Sequence, residues 1–118
     1  TVTEIRMSGI DREIILDRRH IAKHLPNTTQ SNRLLRRGRS AHVFNDEDTL
    51  LQVVQAIIVS GIHTGFARGY DRYGLMFPEA IGVRIDPDGS TLPLFYGEVK
   101  IYADDKYHPV PRTRPSEE

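Results

Sequence analysis

The run His20-Ile21-Ala22-Lys23-His24 concentrates groups that can move protons or hold phosphate. On a helix, His20 and His24 stand one turn apart with Lys23 beside both, so the two rings share a face. Histidine changes charge near neutral pH, and basic neighbours lower its pKa toward that of a usable base. Such a pair also suits zinc, but a zinc site needs a third ligand and usually the glutamate of a His-Glu-x-x-His motif, which is absent here. No metal and no cofactor is therefore expected. The remaining alternative is structural, with one ring at the helix end and the other packed against a sheet.

The surrounding charge favours an anionic partner. Between Arg18 and His42 lie seven basic residues, three histidines and no acid, inside a chain whose 16 Lys and Arg balance its 16 Asp and Glu. The run is either a solvated face whose arginine stems cover apolar surface or a phosphate-binding face. With no cysteine, the chain excludes disulfides, a thiol nucleophile and sulfur-ligated zinc. Its 118 residues, 38% hydrophobic and 27% charged, fit a single domain spanning 1–118 with one core. The longest apolar run, around Val53 to Ile62, falls short of the ~20 residues of a membrane span, so a soluble domain is expected. The chain opens on Thr1 and not on Met, which suggests a piece of a longer protein.

The elements that must position these groups fall into two halves. Ile10, Ile14, Ile15 and Ile21 recur at roughly helical spacing and predict a helix from about 11 to 24, ended by Leu25-Pro26. Cap candidates in 27–31 precede a short second helix with Leu34 and Leu35, closed by Gly38. Asn45 or Asp46 caps a third helix, whose stripe of Leu50, Val53, Val54, Ile57 and Ile58 ends before Gly61. After Gly61 the period becomes two. A hairpin of 63–68 and 73–77 is expected, then a strand over 81–85, the turn Asp86-Pro87-Asp88-Gly89, a strand over about 92–102 and a last short strand over 107–110. Pro109 and Pro111 mark that last strand as an edge or a frayed end. The fold class is α+β: N-terminal helices (about 10–60) packed on a C-terminal antiparallel meander sheet (about 62–111), followed by a polar tail, 112–118.

Taken in order, His-Ile-Ala-Lys-His-Leu at 20–25, Leu35-Arg36, and Phe44-Asn45-Asp46 leading into an apolar helix resemble a known family. It is that of the pancreatic-ribonuclease-like (RNase A-like) toxin domains at the C-termini of bacterial contact-dependent inhibition and other polymorphic toxins. The match covers about Arg19 to Ile58. His42 stands where the family has Ser, and Arg112-Thr113-Arg114-Pro115 keeps the Thr but not the Tyr of the family's closing Thr-x-Tyr-Pro.

The resemblance implies metal-independent RNA cleavage, in which the 2′-hydroxyl attacks its own phosphorus and a 2′,3′-cyclic phosphate forms. It needs a base, an acid and fixed positive charge at the phosphorane-like transition state. His24 or His20 is the expected base, Lys23 and Arg36 the stabilisers, and His42, His108 or Thr113 the second pole. Arg19, Arg39, Arg112 and Tyr107 are the further candidate substrate contacts. RNA and an immunity protein are the implied partners, and a bacterial cytoplasm, reached as part of a larger secreted protein, the implied place of action. The alternative is a noncatalytic module of a larger bacterial protein that binds nucleic acid or an acidic protein through the basic segment alone.

Overall fold

The computed structural model describes residues 9–115. In chain order these form β1 (Ile15–Leu16), two 3-10 turns (Arg18–His20 and Ala22–His24), α1 (Thr29–Arg36), β2 (Ala41–Phe44), α2 (Glu47–Ser60), β3 (Ile62–Ala67), β4 (Tyr70–Met76), β5 (Gly82–Ile85), β6 (Thr91–Leu94), β7 (Tyr96–Ile101) and β8 (Lys106–Arg112). The class is mixed α+β with sheet predominant. Five strands form one sheet in the order β1-β8-β7-β4-β3, and three form a second in the order β2-β5-β6.

Both helices begin where a polar side chain takes an otherwise free N–H. Asp46 accepts from the Thr49 amide at 2.7 Å, and Glu47 and Asp48 complement the dipole in the first turn of α2. Leu50, Val53, Val54 and Ile57 then bury one face of that helix. Thr28 and Ser31 form a capping box on α1. The hairpin turn between β3 and β4 is Arg68-Gly69, both with positive φ (53° and 84°), as a tight turn matched to strand twist requires. Tyr70 and Arg72 are therefore strand residues rather than part of the turn.

Several expectations are corrected. The helix from 11 to 24 does not form, because its backbone finds partners elsewhere: the Ile15 amide donates to Asp105 O at 2.9 Å and the Asp17 amide to Tyr107 O at 2.7 Å. This pairs β1 with β8 in parallel, so the sheet is not a purely antiparallel meander. The Asp17 side chain then takes the Arg19 amide and starts the first 3-10 turn. The expected strand over 92–102 is divided at Phe95, where the chain passes from the three-stranded sheet to the five-stranded one. The helices are not segregated at the N-terminus, since β1 and β2 lie among them.

Nor is β8 a frayed end. It lies between β7 and β1, and its prolines are accommodated by register. Tyr107 turns its carbonyl toward β1, so Pro109 and Pro111, two and four residues on, also direct their N atoms away from β7, beyond the two residues that β1 covers. Of the predicted polar tail, Arg112 is strand, Thr113–Pro115 are exposed, and 116–118 lie outside the described residues.

Alternation divides the five-stranded sheet into two unlike faces. Val99, Ile101 and Tyr107 face the core with α2. Gly97 sets the close approach, since a Cβ there would lie 2.7 Å from Val53 Cγ1. The same alternation sends Arg72, Glu98, Lys100 and His108 to the opposite face.

Candidate functional site

Register places Arg72, Lys100 and His108 side by side across β4, β7 and β8, with Glu98 one step along. Arg72 and Glu98 form a buried ion pair. Arg72 Nη1 donates to Glu98 Oε1 at 3.0 Å, and its Nε and Nη2 donate to the Ala67 carbonyl, with both residues at most 2% exposed. Arg112 Nε stands 3.8 Å from the same Glu98 oxygen. The Tyr70 ring is approached by the Arg72 guanidinium at 5.5 Å and the Lys100 ammonium at 5.4 Å.

Onto this face the two 3-10 turns carry His20 and His24. The His20 ring stacks on that of His108 with centroids 4.5 Å apart, and the His24 ring lies parallel to His108 at 6.4 Å. Tyr70 meets His108 edge-on at 5.6 Å. Three imidazoles from segments more than eighty residues apart thus share one site.

Their electrostatics are set by burial among cations. Desolvation pushes His24 down to about 3, with Lys23 and Lys100 adding to it. His108 is likewise pushed down to about 3 by burial, then by His20 and Lys100. His24 Nδ1 lies 2.8 Å from the carbonyl oxygen of His42. A carbonyl can only accept, so Nδ1 carries the proton and Nε2 of the neutral ring keeps its lone pair. His20 is lowered as well, first by burial and then by Lys23, but Asp17 lies 3.8 Å from its Nε2 and favours the charged form. Lys100 is pushed down to about 8 by burial, with Arg72 the next cause.

A cleft of about 300 Å³ opens beside this cluster, lined by His20, His108, Tyr70, Tyr102 and the Asp17–Arg19 pair, with Asp104 and Lys106 at its rim. Arg19 donates from Nε and Nη2 to the two Asp17 oxygens at 2.9 and 2.8 Å, which holds that carboxyl well below the usual range. A second cavity of about 210 Å³ lies between the 3-10 turns and α1, lined by Arg19, Lys23, Gln30, Arg33, Leu34 and Arg37. Among the described residues, no group of three or more His, Asp or Glu is arranged to hold a metal ion.

The sequence-based candidates divide accordingly. His20, His24, Lys23, His108 and Arg19 come together. His42 contributes its backbone carbonyl to His24, and its own half-buried ring, lowered by burial and then by Arg112 and Arg84, is close enough to act on His24 as a charge. Thr113 is exposed beyond the end of β8, five residues and roughly 16 Å of extended chain from His108, so it does not complete the cluster. Tyr107 is corrected outright, because alternation turns it into the core, 7% exposed. Arg36 and Arg39 are exposed and line neither cavity, whereas Arg33 and Arg37 face the basic one. Lys100, Tyr70, Arg72 and Glu98 were missed. Their only local signal is the alternation of Tyr96, Glu98 and Lys100 along β7 and of Tyr70 and Arg72 at the start of β4, where apolar residues would be expected if that face were core.

The molecule is thus an α+β domain with a histidine-lined cleft on the sheet face opposite its long helix. It belongs to the family described as Domain of unknown function (DUF6972), whose profile matches residues 12–116. No curated protein and no solved structure matches the chain. No helix among the described residues is long and apolar enough to cross a membrane.

Proposed function

We propose that the domain cleaves RNA without a metal, the 2′-oxygen attacking the adjacent phosphorus while the bond to the 5′-oxygen breaks, leaving a 2′,3′-cyclic phosphate and a 5′-hydroxyl. The observation that carries this reading is the stacking of His20, with His24 beside it, on His108 next to Lys100, at a cleft that His20 and His108 line. His24 is the base: its ring is anchored through Nδ1 with Nε2 left as the acceptor, and the anionic phosphate of bound RNA offsets the burial that lowers its pKa, so that Nε2 receives the 2′-hydroxyl proton. His20, the imidazole supported by a carboxylate, returns a proton to the departing 5′-oxygen. Lys23 and Lys100 neutralise the charge that develops on the phosphorane-like oxygens. The RNase A-like resemblance extends the reading to a toxin domain acting in a bacterial cytoplasm, delivered within a larger secreted protein and restrained by an immunity protein.

The test is incubation of labelled RNA with the domain in EDTA, reading fragments that end in 2′,3′-cyclic phosphate. His24→Ala and His20→Ala should each slow cleavage ~10²-fold or more, the usual share of one acid–base group. RNA that is bound but never cut would leave the noncatalytic binding module as the function.

A further inference from the structure

The basic cavity between the 3-10 turns and α1 shares Lys23 with the proposed chemistry and extends beyond it to Arg33 and Arg37. Arg19 lines both this cavity and the histidine cleft, and Lys23 lies in it immediately before His24 in the chain. The cavity's other cations, Arg33 and Arg37, sit one turn apart at the C-terminal end of α1. Like charges at i and i+4 repel one another while cations at a helix C-terminus favour its dipole, so α1 alone does not demand that the two face one cavity. Among the described residues, Lys23, Arg33 and Arg37 make no ion pair, although Arg12, Arg19, Arg72, Arg84 and Arg112 all find carboxylates. Leu34 and Gln30 supply an apolar and an amide surface between the charges.

We infer that this cavity binds a backbone phosphate of single-stranded RNA flanking the cleaved bond, with Arg33 and Arg37 as its ligands. The inference rests on the ribonuclease reading and refines it, making the substrate an extended strand rather than a dinucleotide. The nucleoside next to the scissile phosphate occupies the Tyr70–Tyr102 cleft, and the strand crosses Arg19 and Lys23 to reach α1. Single strands suit this path because they release counterions at each contact and stack on aromatic rings without base selection.

The experiment compares the full chain with an Arg33→Gln/Arg37→Gln variant on three probes: a dinucleotide, a heptanucleotide containing the same step, and a 2′-O-methyl heptanucleotide that cannot supply the attacking hydroxyl. The substitutions are exposed and keep much of the aliphatic stem, so folding is checked by an unchanged melting temperature. Heptanucleotide kcat/KM should fall about ten-fold or more through KM, with dinucleotide cleavage within about two-fold of wild type. The log–log salt slope of 2′-O-methyl heptamer binding should fall by about 0.7, the share of one neutralised single-strand phosphate. Loss of heptamer binding by the variant, with no cleavage by wild type, would keep the track and overturn the catalysis. Cleavage by wild type with unchanged variant binding would overturn the track alone. An equal loss of affinity for a polyglutamate peptide would also overturn it, since the patch would then read charge and not a nucleic-acid backbone.

Discussion

Lowering the pH from 7 to 5 should destabilise this fold by about 4 kcal/mol through two buried rings, His24 and His108. Both are pushed down to about 3 in the folded protein, against 6.5 for a free histidine. Between these values the unfolded chain binds protons that the folded one refuses. Stability is therefore whole above pH 6.5, declines as the pH falls, and the loss is complete near pH 3. At pH 5, about 1.5 units below the free value at about 1.4 kcal/mol per unit, each ring accounts for about 2 kcal/mol. His20 and His42, shifted in the same direction, add to the effect. Asp17 does not enter this window, because its lowered pKa matters only below the ordinary carboxylate range. The assay is urea unfolding at both pH values, reading the midpoint at constant m. A His24→Gln/His108→Gln variant should lose most of the difference, whatever its stability at pH 7. A wild-type change below about 1 kcal/mol, or the same loss in the double variant, would show that these rings are not held neutral.

Glu98→Gln removes the carboxylate charge facing Arg72, which is only 2% exposed, and should cost about 3–5 kcal/mol by denaturant unfolding, whereas a paired apolar replacement of both residues should cost less. Gly97→Ala places a Cβ 2.7 Å from Val53 Cγ1 and should cost about 1–3 kcal/mol, part of it recovered by adding Val53→Ala.

The long helix was legible in the sequence because its signals are local: Asp46 as the cap, an apolar stripe at helical spacing, and Gly61 at its end. The segment before it was not. Ile10, Ile14, Ile15 and Ile21 have helical spacing, yet the path of this segment is decided by hydrogen bonds from the Ile15 and Asp17 amides to the carbonyls of Asp105 and Tyr107 about ninety residues away, which no local pattern encodes. The histidine cluster was half visible. His20, Lys23 and His24 were found from their types, and His108 as a partner from the need for a second group. They meet, however, through stacking between 3-10 turns and a strand, not along one helix face. Tyr107 was misjudged because its adjacency to His108 hides the alternation that separates them. Lys100 and Glu98 escaped because a polar sheet face looks like a solvated one until the elements covering it are known.

The order of synthesis gives the cleft a timetable. His20 and His108 are 88 positions apart, and β8, the last strand to leave the ribosome among those described, both supplies His108 and carries the backbone groups that anchor β1 and the first 3-10 turn. At 5–20 residues per second, roughly 4–18 s separate translation of the two histidines. For that interval the nascent chain holds the basic segment and α1 but no imidazole stack, no Lys100–His108 neighbour and no cleft. Whatever chemistry the finished cleft performs is therefore withheld from the messenger and ribosome that produce it until β8 has docked.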